Sequence, residues 1–238
     1  MSLVIPAVLP TSKTDLLEKL ERFSTFPHIE RVQIDVVDGK FASPASWPYN
    51  TKSDVGAIGR HMELLPHLGR IAYEVDLMCF DSLAAVRAWI AIGATRFTFH
   101  AETTTDVKKL LETVRQECGG AELSSGLVSF GVALNLSSDL ARIEPVLDTV
   151  AYVQFMGIAH IGRQGEPFDD RVYEQVRVFR SRYPAIPFQV DGGITLERAK
   201  KLVVLGATNL VVGSGLLKVS DPLSTLEAFE ALRSPYGV

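Results

Sequence analysis

The sequence predicts an α/β fold, a (β/α)8 TIM barrel formed as a single domain over residues 1–238. Three observations predict it. Short β-branched runs alternate with amphipathic stretches of roughly ten to fifteen residues. The alternation repeats about eight times, as parallel strands joined by crossovers require. The Gly-rich turn that would mark an open doubly wound sheet is missing after the first strand, where Pro6-Ala7-Val8-Leu9-Pro10 stand.

The elements follow in order. Leu3–Val8 reads as the first strand, and Asp15–Phe23 as a helix with Leu16, Leu17, Leu20 and Phe23 apolar. Arg31–Val37 is the second strand, ended by the turn Asp38-Gly39. Residues 41–54, with Pro44, Trp47 and Pro48, read as a long loop, with a helix near 54–67. Ala72–Met78 is a strand, Ser82–Ile92 a helix, and Arg96–His100 a strand. Thr105–Cys118 is a helix, with Gly119-Gly120 as its C-cap. Ser129–Leu134 is the fifth strand, followed by a helix or turn near Ser138–Leu147. Val150–Met156 is the sixth strand, and Asp169–Tyr183 a helix stopped before Pro184. Phe188–Val190, Leu196–Leu205, Asn209–Val212 and Pro222–Arg233 complete the strand–helix series. No linker or shift in composition marks a second domain.

Composition narrows the function classes. The formal net charge is −4 and no basic run occurs, so no nucleic-acid partner is expected. No apolar stretch approaches the length of a membrane span, and Met1–Pro6 lacks the basic region of a secretory leader. Cys79 and Cys118 lack metal or redox spacing and read as reduced thiols, which points to the cytoplasm. Without the Gly-rich turn, no nucleotide cofactor is expected.

A barrel strand alternates inward and outward. Three strands carry polar residues two apart: Gln33 and Asp35, Glu74 and Asp76, Gln189 and Asp191. If they face inward, they lie toward the C-terminal mouth, where such barrels place their chemistry. The alternative is that they point outward and cap helices. Buried carboxylates need a ligand, a metal or one another, and such clusters shift pKa values as proton transfer requires. Gly162, Gly192, Gly193, Gly213 and Ser214 follow the last three strands. Glycines there let backbone N–H groups approach a phosphate, the recurrent ligand of these loops.

Several segments resemble the ribulose-phosphate 3-epimerase family, a ribulose-phosphate-binding type of barrel. Val32-Gln33-Ile34-Asp35-Val36-Val37-Asp38-Gly39-Lys40-Phe41 is similar to its second-strand signature. Tyr73–Met78, Phe99-His100-Ala101-Glu102, Val190-Asp191-Gly192-Gly193 and Val212-Gly213-Ser214 resemble later strands. The resemblance implies C3 epimerisation between D-ribulose 5-phosphate and D-xylulose 5-phosphate. It assigns proton transfer through an enediolate to Asp35 and Asp191. It implies a small sugar-phosphate substrate, a divalent metal and a homo-oligomer.

The sequence departs from the family at the metal. The family's two histidine ligands align with Gln33 and Asp76, leaving Asp35, Asp76, Asp191 and Gln33 as an all-oxygen set, while His100 corresponds to a histidine that is not a ligand. Imidazole suits zinc and iron, whereas oxygen donors suit magnesium or manganese. Either a harder ion than zinc binds, or the metal is lost and another group, such as Lys40, stabilises charge. The first-strand serine is Ala7, and Ile161–Gly165 replaces the family's glycine-rich loop after strand six. Two alternatives stay open: a non-catalytic sugar-phosphate-binding paralogue, and a lyase or decarboxylase on the same barrel. The related decarboxylases carry a lysine where Val37 stands.

Overall fold

A computed structural model describes residues 2–51, 55–118 and 128–233. Eight strands close into one parallel barrel in chain order: β1 Val4–Val8, β2 Arg31–Val37, β3 Ala72–Met78, β4 Arg96–His100, β5 Ser129–Leu134, β6 Tyr152–Met156, β7 Phe188–Asp191 and β8 Asn209–Val212. β1 pairs with both β2 and β8, which closes the ring. The helices are α1 Lys13–Ser24, α2 Gly56–His61, α3 Ser82–Ile90, α4 Val107–Cys118, α5 Arg171–Arg182, α6 Leu196–Val204, α7 Ser214–Leu217 and α8 Pro222–Glu230. Between β5 and β6 the chain makes two single 3-10 turns, Leu140–Arg142 and Glu144–Val146, with Pro145 in the second.

The helices form where caps and apolar spacing agree. Ser12 accepts a hydrogen bond from the Asp15 N–H to start α1, which then buries Leu16, Leu20 and Phe23 on one stripe. Thr195 caps α6 through the Arg198 N–H, and Asp221 caps α8 through the Ser224 N–H. Each fully buried Leu or Phe contributes about 1.5–3 kcal/mol, so the layer between strands and helices carries most of the stability. Val32, Ile34 and Val36 of β2 face that layer, as do Phe97 and Phe99 of β4.

The helix expected near 54–67 is much shorter. α2 ends at His61, Met62 is extended, and the Leu65 N–H donates to the Ile92 carbonyl. Burial of Leu65 at this non-local contact ends the helix, a constraint local propensity does not carry. Residues 52–54 and the Gly119-Gly120 cap lie outside the described residues. Strand β7 runs one residue further than expected, so Asp191 is part of the strand and takes its fixed inward direction.

The barrel interior is unusual for its polarity. Ile5, Ala7 and Val211 form a small apolar group on one side. The rest of the interior is built largely from charged and amide side chains stacked along the axis.

Candidate active site

Strand register sets the stack. Gln33 pairs with Glu74 and Asp35 with Asp76, while Gln154 pairs with Gln189 and Met156 with Asp191. All three sequence pairs point inward: Gln33, Glu74 and Asp76 are 0% exposed, and Asp35 and Asp191 are 8% exposed. The helix-capping alternative is excluded for these residues.

The lowest tier binds charges. Glu74 accepts from Arg96 Nε at 3.0 Å, and Arg31 lies 3.9 Å away. The Arg96 guanidinium lies 4.0 Å from the centre of the Tyr152 ring, over its face. That ring fits because residue 131 is glycine: a Cβ there would lie 2.4 Å from it.

The middle tier relays orientation upward. Gln189 Nε2 donates to Glu74 Oε1 at 2.5 Å and to Gln154 Oε1 at 2.8 Å. With its oxygen engaged, Gln154 must present its Nε2 upward, where it donates to Asp76 Oδ2 at 3.0 Å. A primary amide has two distinct ends, so fixing one fixes the other.

The top tier holds three carboxyl groups and a histidine. Carboxylate oxygens of Asp35, Asp76 and Asp191 lie within 4.8 Å of one another. Gln33 Nε2 donates at 2.9 Å to both Asp35 Oδ1 and Asp191 Oδ2, bridging two carboxyl groups from opposite sides of the barrel. His100 Nε2 meets Asp76 Oδ1 at 3.0 Å. His100 and Gln154 are functional-site residues that the sequence reading missed. Both were visible in the same alternation, as Arg96, Thr98 and His100 on β4 and as Tyr152, Gln154 and Met156 on β6.

The electrostatics follow from burial. Asp191 is pushed up to about 7, first by desolvation and then by the charge on Asp76, with the Gln33 hydrogen bond opposing. Asp35 is raised well above the usual carboxylate range by burial and by the charges of Asp191 and Asp76. His100 shifts the other way for a buried imidazole: burial lowers its pKa, but the Asp76 charge and hydrogen bond outweigh that and raise it. The inward strand residues thus set Arg31, Arg96 and His100, whose protonated form Asp76 favours, against four carboxyl groups. The excess negative charge is relieved when the Asp35–Asp191 pair keeps a proton.

Above the pair lies a cavity open at the mouth. Asp35 and Asp191 line it, with Met78, Met156 and Ile158 as apolar walls. Gly162, Gly192, Gly193, Gly213 and Ser214 all line the same cavity. Asp76 and Gln33 are not among its lining residues and sit deeper. Gly192 and Gly193 have positive φ of 105° and 65°, and a Cβ on either would strike Ile158 or Phe168. Two loops are tied over the mouth. Gly162 packs on Ala42 and Val37, and Arg163 Nε donates to the Ser43 carbonyl at 2.8 Å. Asp38 builds the turn beneath them by accepting from the N–H groups of Lys40, Phe41 and Phe80. Lys40 itself is exposed and outside the cavity lining.

The chain matches the family model described as the ribulose-phosphate 3 epimerase family over residues 3–217. It is 25% identical over 240 residues to the chloroplastic ribulose-5-phosphate-3-epimerase of Arabidopsis thaliana, an alignment spanning 99% of this chain and 79% of that protein. It is also 25% identical over 246 residues to ribulose-phosphate 3-epimerase of Chlamydia pneumoniae, spanning 99% and 96%. Among solved structures it is similar to KGPDC from Streptococcus mutans, with a TM-score of 0.67 at 11% identity over 98% of this chain and 97% of that one. It is similar too to orotidine 5'-phosphate decarboxylase from Pyrococcus horikoshii, with a TM-score of 0.63 at 16% identity over 99% and 100%. At those identities the solved structures establish the barrel alone. With a family match across most of its length, this chain belongs to the ribulose-phosphate 3-epimerase family of carbohydrate epimerases.

Proposed function

We propose that the protein epimerises a ketopentose phosphate at C3, interconverting D-ribulose 5-phosphate and D-xylulose 5-phosphate. The observation that carries this reading is the Asp35–Asp191 pair. Its members come from opposite strands, line one cavity, are bridged by one amide and have raised pKa values. Inverting a stereocentre needs a base on one face and an acid on the other. One aspartate removes the C3 proton, giving an enediolate, and the other delivers a proton to the opposite face. In the reverse direction the roles exchange. A carboxyl pair that keeps a proton near neutral pH supplies both forms at once. Gln33 holds the two carboxyl groups in place, and the His100 cation with the Gln154 amide neutralises Asp76 beneath them.

The residues present fit a divalent ion. Asp35, Asp76 and Asp191 offer three carboxylates, and Gln33 Oε1 is buried without a hydrogen-bond partner among the described residues. Rotation of the Gln33 amide would make that oxygen a fourth donor. Such a set favours a hard ion, magnesium or manganese, over zinc. Bound there, an ion would stabilise the negative charge that develops on the enediolate oxygens. The decarboxylase reading is disfavoured because Val37, where its lysine would stand, is buried against Ala42 and Met78. No described helix is long and apolar enough to cross a membrane. The free thiols of Cys79 and Cys118 fit the cytoplasm. We retain a homo-oligomer as part of this reading.

The test is conversion of each pentulose phosphate into the other, followed by NMR with and without Mg²⁺, Mn²⁺ or Zn²⁺. Failure under every condition would sink the proposal.

A further inference from the structure

The loop after β6 carries a donor without a partner among the described residues. Its ends are fixed by a bridge between Ile158 and Phe168, and its middle by Gly162 on Ala42 and by Arg163 on the Ser43 carbonyl. Between these anchors Gln164 turns inward and lines the cavity. Its Nε2 is buried and has no hydrogen-bond partner among the described residues. It lies over Gly213: a Cβ at that position would come within 3.2 Å of it, and the next nearest atom, the Ala7 carbonyl oxygen, would be at 3.7 Å. A side chain at residue 213 would crowd the Gln164 amide, so glycine leaves the space that this amide fills.

A buried, unpaired primary amide is rare, because both N–H groups have lost water without replacement. Its missing partner must be an acceptor. The amide sits at the Gly213–Ser214 side of the cavity. An anion entering a cavity with two carboxyl groups at its floor needs donors and positive charge at its rim. The rim supplies them. Arg163 lines the cavity, and Lys218 Nζ lies 3.7 Å from where a Cβ of Gly165 would stand. Glu166, also in the lining, is engaged by His160.

We propose that Gln164 is a side-chain ligand for the phosphate of the substrate, donating from Nε2, and that Gly213 leaves the room this amide needs. The assignment rests on the reading of the cavity as a sugar-phosphate site. It makes Gln164 a residue that selects for the phosphomonoester and leaves the chemistry at C3 to the two aspartates.

Inorganic phosphate is the probe, titrated into the wild-type protein, Gln164→Met and Gln164→Glu by calorimetry, with circular dichroism confirming that each variant is folded. Methionine keeps the volume and removes the donor. Glutamate replaces the donor with an acceptor. A hydrogen bond to a charged acceptor predicts roughly tenfold weaker phosphate binding for Gln164→Met and a larger loss for Gln164→Glu. With the sugar phosphate, KM rises by a similar factor while kcat changes less than about twofold. If the wild type binds phosphate and both variants bind it equally, the role of Gln164 is wrong while the phosphate site stands. If the wild type binds no phosphate, the sugar-phosphate reading of the cavity falls and this assignment with it.

Discussion

His100 and Asp76 form a fully buried pair, with Nε2 3.0 Å from Oδ1 and neither side chain exposed to solvent. Asp76 favours the protonated form of His100, and His100 is among the groups that lower the pKa of Asp191. It therefore acts on the proposed base without touching the substrate.

Replacing His100 with Asn removes that charge. Asp191 then keeps its proton to higher pH, so the acid limb of the kcat/KM profile moves above about 7, where Asp191 titrates in the intact protein. The rate at neutral pH falls by roughly one order of magnitude or more. A pH–rate profile of His100→Asn that overlays the wild type contradicts the role given to this pair.

The raised carboxyl pKa values fix the sign of a stability effect. Asp35 and Asp191 hold protons in the folded state that they release in the unfolded chain at ordinary acidity. The folded state then binds more protons, so stability falls as pH rises from about 4, the unfolded value, through about 7, the folded value of Asp191. In chelator-treated protein, Asp191→Asn flattens this slope and is more stable than wild type at pH 8 by ~1–4 kcal/mol. Urea titrations at pH 5 and pH 8 measure it. A loss of stability in Asp191→Asn at pH 8 goes against the account.

Glu74 is the foot of the column that orients Gln189, Gln154 and then Asp76. Glu74→Met leaves Arg96 and Arg31 without their carboxylate. Breaking a buried pair in this way costs ~3–5 kcal/mol, readable as a lower urea midpoint. The same change frees the Gln189 amide, so activity per folded molecule falls as well.

The oxygen-only donor set predicts metal preference. Mn²⁺ or Mg²⁺ raises the melting temperature of the wild type more than Zn²⁺ does. Gln33→His adds an imidazole and shifts the preference toward Zn²⁺. Equal stabilisation of both proteins by all three ions removes the argument from donor chemistry.

Much of this site was legible from residue alternation. Polar residues at i and i+2 on predicted strands brought Gln33, Asp35, Glu74, Asp76, Gln189 and Asp191 inside the barrel, because a strand's period of two leaves no other choice once one member points inward. The glycines after β6, β7 and β8 were visible as turns, and the structure brings them to one cavity. What alternation does not show is who pairs with whom. The bond between Arg163 and the Ser43 carbonyl joins residues 120 positions apart. The Gln33 bridge to Asp191 joins residues 158 positions apart. The end of α2 is likewise set by Leu65 reaching the core, and the direction of Gln164 by contacts at both sides of its loop. His100 was hidden for a different reason: the resemblance gives its position no metal-binding role, whereas here it faces a carboxylate at the position of a family ligand.

The central claim is that Asp35 and Asp191 move the C3 proton. Its most direct test is the incorporation of solvent deuterium at C3, starting from each pentulose phosphate in D2O. Wild type incorporates deuterium at C3 while interconverting the two sugars. Asp35→Asn and Asp191→Asn each lose interconversion by at least ~10²-fold. Interconversion by wild type without C3 deuterium, or by either variant at an undiminished rate, contradicts it.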